Sequence, residues 1–213
     1  MSKLYCHLYV DKTGKLIYEG QSKPTNLEQQ LEVVKDTTSP TGYSFHRKST
    51  SESIDLGEVD GQPTIAFYGK YTASDSDKNI VIDGSDSGIS AWTNKEYTKE
   101  HAYDIYMDYD NKVYVKISSS AIYGPATTTD TWYHVLSQTY SAVYVNGTDQ
   151  TSGASVSYDS YLSTVHLYLL PSSTNTYIDD LIICDYPIIK SSFDPNTIFN
   201  NLFVSDTDKL KIY

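Results

Sequence analysis

Carboxylates crowd one short segment of the chain, Glu52-Ser53-Ile54-Asp55-Leu56-Gly57-Glu58-Val59-Asp60. Glycoside hydrolysis with retention of configuration needs two carboxyl groups about 5 Å apart, facing the same bond. The apolar alternation of this segment predicts a β-strand. Glu52 and Asp55 are three residues apart, so their side chains would point to opposite faces of that strand. The spacing therefore argues against a catalytic pair.

Other catalytic signatures are also missing from the sequence. The five histidines show no metal-ligand spacing, and no Gly-x-Ser-x-Gly nucleophile elbow occurs. Cys6 and Cys184 form no Cys-x-x-Cys motif, so a structural zinc site has no support. We therefore expect a non-enzymatic protein, with a divergent glycan-active hydrolase as the alternative.

Short alternating segments separated by turn residues predict the elements that would carry any site. Leu4 to Val10 and Leu16 to Tyr18 flank a turn at Gly14, and Asn146-Gly147 is a hairpin signal. A further hairpin is predicted from Tyr103 to Ile117, around Tyr109-Asp110-Asn111. Thr25 to Val34 predicts one short helix, capped by Asn26, with Leu27, Leu31 and Val34 on one face. These patterns predict an all-β sandwich of two antiparallel sheets with minor helices.

Composition restricts the class of partner. The formal net charge is −11, which disfavours nucleic acid and anionic membrane surfaces as partners. No segment is long and apolar enough for a membrane span, and Met1 to Tyr5 lacks the apolar run of a signal peptide. The chain has 21 tyrosines, which suit both exposed strand faces and binding surfaces. Fifteen of its 16 basic residues are lysines, a bias typical of AT-rich genomes such as those of many phages or low-GC microbes.

Several motifs together resemble a laminin-G-like domain of the concanavalin A-like superfamily. Ile54-Asp55-Leu56-Gly57 and Thr64 to Thr72 are similar to its early strands, and Thr131-Trp132-Tyr133-His134-Val135 to a later one. Val143 to Gly147 is similar to its "YvNG" hairpin, and Ile178 to Ile183 to its closing strand. The resemblance is strongest over residues 40–187 and implies a jelly roll over residues 1–190. A C-terminal tail, residues 191–213, would then hold a short helix and a docking strand.

The resemblance also implies roles for particular residues. It places the first and last strands side by side, so Cys6 and Cys184 would be neighbours, reduced rather than bridged. It places Trp132 in the core. Lectin-like members hold Ca²⁺ in rim loops, and Asp108, Asp110 and Asn111 are the candidate ligands, with Asp75-x-Asp77 and Asp83-Gly84-Ser85-Asp86 as further acidic loops. The alternative is that these residues only form turns.

Aromatic and acidic residues near predicted loops are the candidates for binding a sugar. Trp92 lies among polar neighbours outside the clear strands, and Tyr97 and Tyr123 are secondary candidates, with Asp83 and Asp86 as polar partners. For Trp92, burial in the core is the alternative, since tryptophan is highly buried on average.

The function we expect is a binding or structural module. Its predicted setting is a phage virion, where it decorates a capsid or tail and contacts neighbouring subunits or a surface glycan, with a homo-oligomer compatible with that role. The alternative setting is the surface of a low-GC microbe, where the chain would serve as an adhesion lectin outside the cell.

Overall fold

The computed structural model describes residues 3–21, 23–49, 52–60, 63–74, 79–85, 101–117, 120–138, 142–151, 164–171 and 174–185. These ranges hold two antiparallel sheets and one short helix, α1, at Leu27–Gln30. Sheet A contains β1 Leu4–Val10, β2 Leu16–Gly20, β3 Leu31–Lys35, β4 Tyr43–Arg47, β6 Thr64–Tyr71, β11 Tyr133–Gln138, β12 Ala142–Val145, β13 Thr148–Asp149 and β15 Thr176–Cys184. Sheet B contains β5 Ile54–Asp60, β7 Ile80–Ser85, β8 His101–Tyr109, β9 Lys112–Ile117, β10 Ser120–Ala126 and β14 Thr164–Leu169.

The two sheets pack face to face as a jelly-roll sandwich. Sheet A runs in the order β13-β12-β11-β6-β15-β1-β2, with β4 also pairing with β15 and β3 with β4; sheet B runs β10-β9-β8-β7-β14-β5. The chain passes repeatedly from one sheet to the other, as at β4 to β5 and β5 to β6. The core between the sheets contains buried side chains from both, such as Phe67 and Val135 from sheet A and Ile105 and Leu167 from sheet B. The predicted all-β fold class is confirmed.

The first and last described strands lie side by side, as predicted. In the β1–β15 pair, Cys6 lies opposite Ile183 and Leu4 lies opposite Cys184. Both cysteines are buried, and neither is part of a disulfide in the described ranges. The predicted hairpin turn at Gly14 is also present, since this residue has φ of +82°, a conformation that glycine adopts without strain.

The predicted helix from Thr25 to Val34 is wrong beyond its first turn. Helix α1 ends at Gln30, and Leu31 begins strand β3, which pairs with β4 so that Val33 lies opposite Phe45. Tertiary pairing overrides the helical period here, because adjacent β-branched valines favour a strand. Asn26 makes no side-chain cap; its amide Nδ2 donates instead to the backbone oxygen of Ser53 at 3.0 Å.

Candidate functional site

Strand β9 places three polar side chains on the outer face of sheet B, the face turned away from sheet A. Val113 and Val115 point into the core between the sheets. Because successive side chains of a strand alternate between faces, Lys112, Tyr114 and Lys116 lie on the outer face. Lys112 is exposed, and Tyr114 and Lys116 are half-buried.

A bulge in β8 adds two tyrosines to the same face. The register between β8 and β9 shifts between Tyr106 and Tyr109, and Met107 and Asp108 between them are both buried. An extra residue in one strand lets two residues three apart share a face. The rings of Tyr106 and Tyr109 accordingly meet with their centroids 5.5 Å apart.

The turn after β8 has the geometry expected of a two-residue hairpin. Asp110 and Asn111 have φ of 51° and 58°, which is the backbone of a type I′ turn. The carbonyl oxygen of Asn111 accepts a hydrogen bond from the backbone N–H of Thr127 at 2.8 Å. This turn fixes where Tyr109 sits relative to β9.

Strand β10 contributes the most exposed member of the group. Tyr123 lies opposite Tyr114 in the β9–β10 register, and 48% of it is exposed, the largest value for a large apolar side chain among the described residues. Gly124 follows Tyr123 at a point where β10 packs closely against Val113 and Val145. A Cβ at Gly124 would lie 3.0 Å from Val113 Cβ and 3.1 Å from Val145 Cγ2, so glycine permits this close approach.

Tyr106, Tyr109, Tyr114 and Tyr123 form one continuous array, which we call the tyrosine ladder. Tyr109 and Tyr114 stack with centroids 4.5 Å apart and an interplanar angle of 26°. Tyr114 meets Tyr106 at 5.5 Å and Tyr123 at 5.1 Å, both with steeply inclined rings. Such aromatic pairs add stability beyond area burial, so the four rings hold one another rigidly. Tyr106 is buried, and Tyr109, Tyr114 and Tyr123 form the accessible part of the ladder.

Three hydroxyls of the ladder lack partners within the described ranges. Tyr109, Tyr114 and Tyr123 make no side-chain hydrogen bond there, whereas Tyr5 donates to Asp60 at 2.5 Å. Partial burial, reinforced by the neighbouring tyrosines, raises the pKa of Tyr114 to about 12. The Tyr114 phenol therefore stays protonated at neutral pH, and it can both donate and accept hydrogen bonds.

Two lysines flank the ladder without an ion pair. No carboxylate lies within 4.0 Å of Lys112 or Lys116 in the part of the chain that the structure describes. The ammonium of Lys112 instead lies 5.8 Å from the ring centroid of Tyr123. Lys70 on sheet A shows the contrast, because its Nζ lies 2.5 Å from Asp36 Oδ2.

A second row of side chains crosses the same outer face beside the ladder. Cross-strand pairing runs from Lys116 to Asp104, then to Asp83, Tyr168 and finally Asp55 on β5. Asp83 and Asp104 therefore lie directly opposite each other on β7 and β8. Both are buried, with 5% and 1% exposed. Two adjacent carboxylates are thus present in sheet B, but they are closed off from solvent.

Of the five predicted sugar-binding residues, two lie on the outer face of sheet B and three lie outside the described residues. Tyr123 belongs to the ladder. Asp83 lies three strands away, on β7 in the adjoining row, and is buried rather than open to a ligand. Trp92, Tyr97 and Asp86 lie outside the described residues. Sequence reasoning missed Tyr114 and the two lysines beside it, although the Lys-x-Tyr-x-Lys alternation of β9 was a usable signal.

The three predicted calcium ligands do not share one environment. Asp108 is buried; its Oδ2 accepts a hydrogen bond from the Ser74 hydroxyl at 2.7 Å, and its Oδ1 has no partner among the described residues. Asp110 and Asn111 are exposed in the turn. No group of three His, Cys, Asp or Glu side chains suits a metal in the described ranges. Asp75 and Asp77 lie outside those ranges, and a calcium site stays a prediction.

Trp132 corrects one implication of the resemblance. It is half-buried on the outer face of sheet A rather than part of the core. Its indole Nε1 donates to Thr38 Oγ1 at 3.2 Å, and the ammonium of Lys70 lies 5.1 Å from its ring. The cation–π contact and the Lys70–Asp36 pair hold the β3–β4 loop against this face.

Comparison with known proteins supports the fold. No family model matches the chain, and no curated protein matches its sequence. The binding domain of botulinum neurotoxin serotype D superposes with a TM-score of 0.54 and 12% identity, over 93% of this chain and 51% of that one. Domain 4 of AbnA, a GH43 extracellular arabinanase from Geobacillus stearothermophilus, gives a TM-score of 0.49 and 12% identity, over 89% of this chain and 95% of that one. A sialidase from Trypanosoma rangeli gives a TM-score of 0.46 and 10% identity, over 80% of this chain and 32% of that one.

The low identity and partial coverage of these matches limit which properties of the known proteins can be assigned to this chain. The chain spans about half of the neurotoxin domain and a third of the sialidase. At 12% identity, the likeness to the neurotoxin domain shows a shared β-sandwich fold, and membership of the laminin-G-like group stays a prediction. In the described ranges no helix has the length and apolarity to cross a bilayer.

Proposed function

We propose that this chain is a non-enzymatic binding module and that its tyrosine ladder holds the sugar rings of a glycan. The observation that carries the proposal is the run of contacting rings Tyr109, Tyr114 and Tyr123, which ends at the exposed Tyr123. The hydroxyls of these three tyrosines make no side-chain hydrogen bond in the described ranges. A tyrosine offers an apolar ring to the C–H face of a pyranose and a hydroxyl to its polar edge.

Rigidity favours binding at this surface. Tyr114 contacts three other rings, so its orientation is fixed before a ligand arrives. A preorganised aromatic surface loses little side-chain entropy when it binds. The surface also lies on strands rather than on a long loop, which keeps the spacing of the rings constant.

The carboxylates of sheet B support a non-enzymatic role. Hydrolysis of a glycosidic bond requires two carboxyl groups in contact with the substrate. Asp83 and Asp104 are adjacent but buried. Asp55 is exposed, yet its Oδ1 lies 2.6 Å from His166 Nε2 in a local pair. A divergent hydrolase is therefore the weaker alternative.

The biological setting of the proposed module is a phage particle, with neighbouring virion subunits or a host-surface glycan as partners. Its support is the Lys-over-Arg bias and the Tyr-rich composition. The neurotoxin neighbour is named as a binding domain, which supports a binding role on this fold but no particular setting. An adhesion lectin on a microbial surface is the alternative.

Glycan binding by purified protein tests the proposal. A glycan array identifies a ligand, and calorimetry then compares Tyr114→Ala and Tyr123→Ala with Tyr177→Ala, a half-buried tyrosine on the outer face of sheet A. We expect the two ladder variants to weaken binding about tenfold, which corresponds to about 1.4 kcal/mol, and the control to bind normally. Binding unchanged in both ladder variants, or no binding to any glycan, would overturn the proposal.

A further inference from the structure

The two lysines of β9 lie on either side of Tyr114 and on the same face. From this arrangement we propose that the ladder selects glycans bearing anionic substituents, carboxylate or sulfate, over neutral glycans. This inference rests on the proposed function, because it assigns a ligand class to the same surface. Lys112 and Lys116 would each contact one anionic group while Tyr114 holds the sugar ring between them.

The spacing suits an extended oligosaccharide. Lys112 and Lys116 are four residues apart on one strand, about 13 Å at the usual rise per residue, with Tyr114 midway. Lys112 also borders Tyr123 across the strand pair, with its ammonium 5.8 Å from that ring. Ring contacts and positive charges therefore alternate along one direction, which matches a chain of sugars with charges at intervals.

Both ammonium groups are available for a ligand. Neither has a carboxylate within 4.0 Å among the described residues. Asp104 lies opposite Lys116 in the register and is buried, with 1% exposed, but it lies more than 4.0 Å from that ammonium. Asp110 precedes Lys112 in the turn and is the exposed carboxylate nearest to it in sequence.

The acidic character of the whole chain is compatible with this local preference. The formal net charge is −11, which repels a dense polyanion such as a nucleic acid. At physiological salt, however, charges more than about 8 Å apart are largely screened, so a ligand at the ladder is affected mainly by the charges beside it. These include the two lysines, Asp104 opposite Lys116 and Asp110 in the turn before Lys112. A carboxylate or sulfate placed at either ammonium gains a direct contact there that a neutral sugar does not.

Lysine also determines how selective the site would be. An ammonium is a compact charge with three donors, without the planar fork that matches carboxylate geometry in arginine. The site should therefore accept carboxylate and sulfate alike. Selectivity for anionic over neutral glycans would come from charge, and selectivity among sugars from the ladder.

The test uses the intact chain and three oligosaccharides of matched length: neutral, carboxylated and sulfated. We expect one or both anionic probes to bind at least about tenfold more tightly than the neutral probe. This preference should decrease at high salt, because the screening length becomes shorter. The double variant Lys112→Gln/Lys116→Gln should bind all three probes equally. Lys12→Gln, an exposed lysine in the β1–β2 turn, is the matched control and should keep the preference.

The outcomes separate this inference from the proposed function. Equal binding of all three probes, lost in Tyr114→Ala but unchanged in the lysine variant, would overturn the anionic preference and leave the glycan-binding module intact. Binding that is unchanged in both Tyr114→Ala and Tyr123→Ala, or no binding of any probe, would overturn both. An anionic preference that persists in the double lysine variant would place the charge recognition elsewhere and overturn the inference alone.

Discussion

His7 Nε2 lies 2.7 Å from Asp180 Oδ1, and this contact joins strand β1 to strand β15. The ring is 2% exposed and stacks on Tyr9 with centroids 4.4 Å apart, while Nδ1 faces Glu19 Oε2 of β2 at 3.8 Å. Burial alone would lower the pKa of His7. The hydrogen bond to Asp180 and the negative charges of Asp180 and Glu19 outweigh it, so the pKa of His7 is raised above its usual value.

The raised pKa of His7 predicts a pH-dependent stability near neutrality. The folded state binds the proton more tightly than the unfolded state, so the stabilisation is fully present below about pH 6.5, the unfolded value. It is lost as the pH rises through the folded pKa. We expect the free energy of unfolding in urea to fall as the pH is raised from 6 upward.

The variant His7→Gln provides the control for this prediction. It should remove the decline above pH 6 and lower stability at pH 6 by about 1–3 kcal/mol, the usual cost of disturbing a buried hydrogen bond. A decline of the same size in both proteins would assign the effect to another group.

The single arginine of the chain acts as a structural bridge. Arg47 is fully buried on β4, and its Nη1 donates to the carbonyl oxygens of Leu170 at 2.7 Å and Pro171 at 2.9 Å. Leu170 has φ of +46°, a strained backbone that these bonds help to hold. Burial lowers the pKa of Arg47 to about 10, so it stays charged at neutral pH.

Replacing Arg47 should destabilise the protein. We expect Arg47→Met to cost at least about 1–3 kcal/mol, because two buried carbonyls lose their donor, and Arg47→Lys to be no full substitute, because it lacks the planar fork. Urea unfolding measures both. Unchanged stability in Arg47→Met would show that water or another donor satisfies Leu170 and Pro171.

Local signals in the sequence predicted the strands and turns well. Gly14, Asn111 and Gly147 mark turns that need positive φ, and all three have it. The prediction failed at Leu31 to Val34, where the apolar spacing fits both a helical face and a strand. Only the pairing of β3 with β4 decides between them, and a distant partner strand cannot be identified from the segment itself.

The candidate site was harder to predict for the same reason. The sequence predicts Tyr123 as a candidate for sugar binding. The ladder itself depends on the register of Tyr123 opposite Tyr114 and on the β8 bulge that turns Tyr106 and Tyr109 to one face. A shift of one residue would reverse every side chain, so a ladder built across three strands is set by tertiary pairing.

The Asn146-Gly147 hairpin offers a test of local backbone chemistry. Asn146 has φ of 50°, and its side-chain Oδ1 accepts a hydrogen bond from the backbone N–H of His134 at 2.8 Å. We expect Asn146→Ala to destabilise the protein by about 1–3 kcal/mol, because it loses this acceptor and tolerates positive φ poorly.

Asn146→Asp is the matched control for that hairpin, because it keeps both the acceptor and the tolerance for positive φ. Its melting temperature should stay close to that of the parent chain. An aspartate variant as unstable as the alanine variant would show that the amide nitrogen, rather than Oδ1, carries the effect.

The two cysteines should be inert while the protein is folded. Cys6 and Cys184 are 1% and 0% exposed, and burial raises the pKa of Cys6 to about 12. Because the thiolate is the reactive form, native protein at pH 8 should not react with a thiol reagent, whereas two thiols per chain should react in denaturant. Reaction of one thiol in native protein would show that β1 or the end of β15 opens. Fewer than two reactive thiols in denaturant would reveal an oxidised pair and contradict the reduced state of both cysteines in the structure.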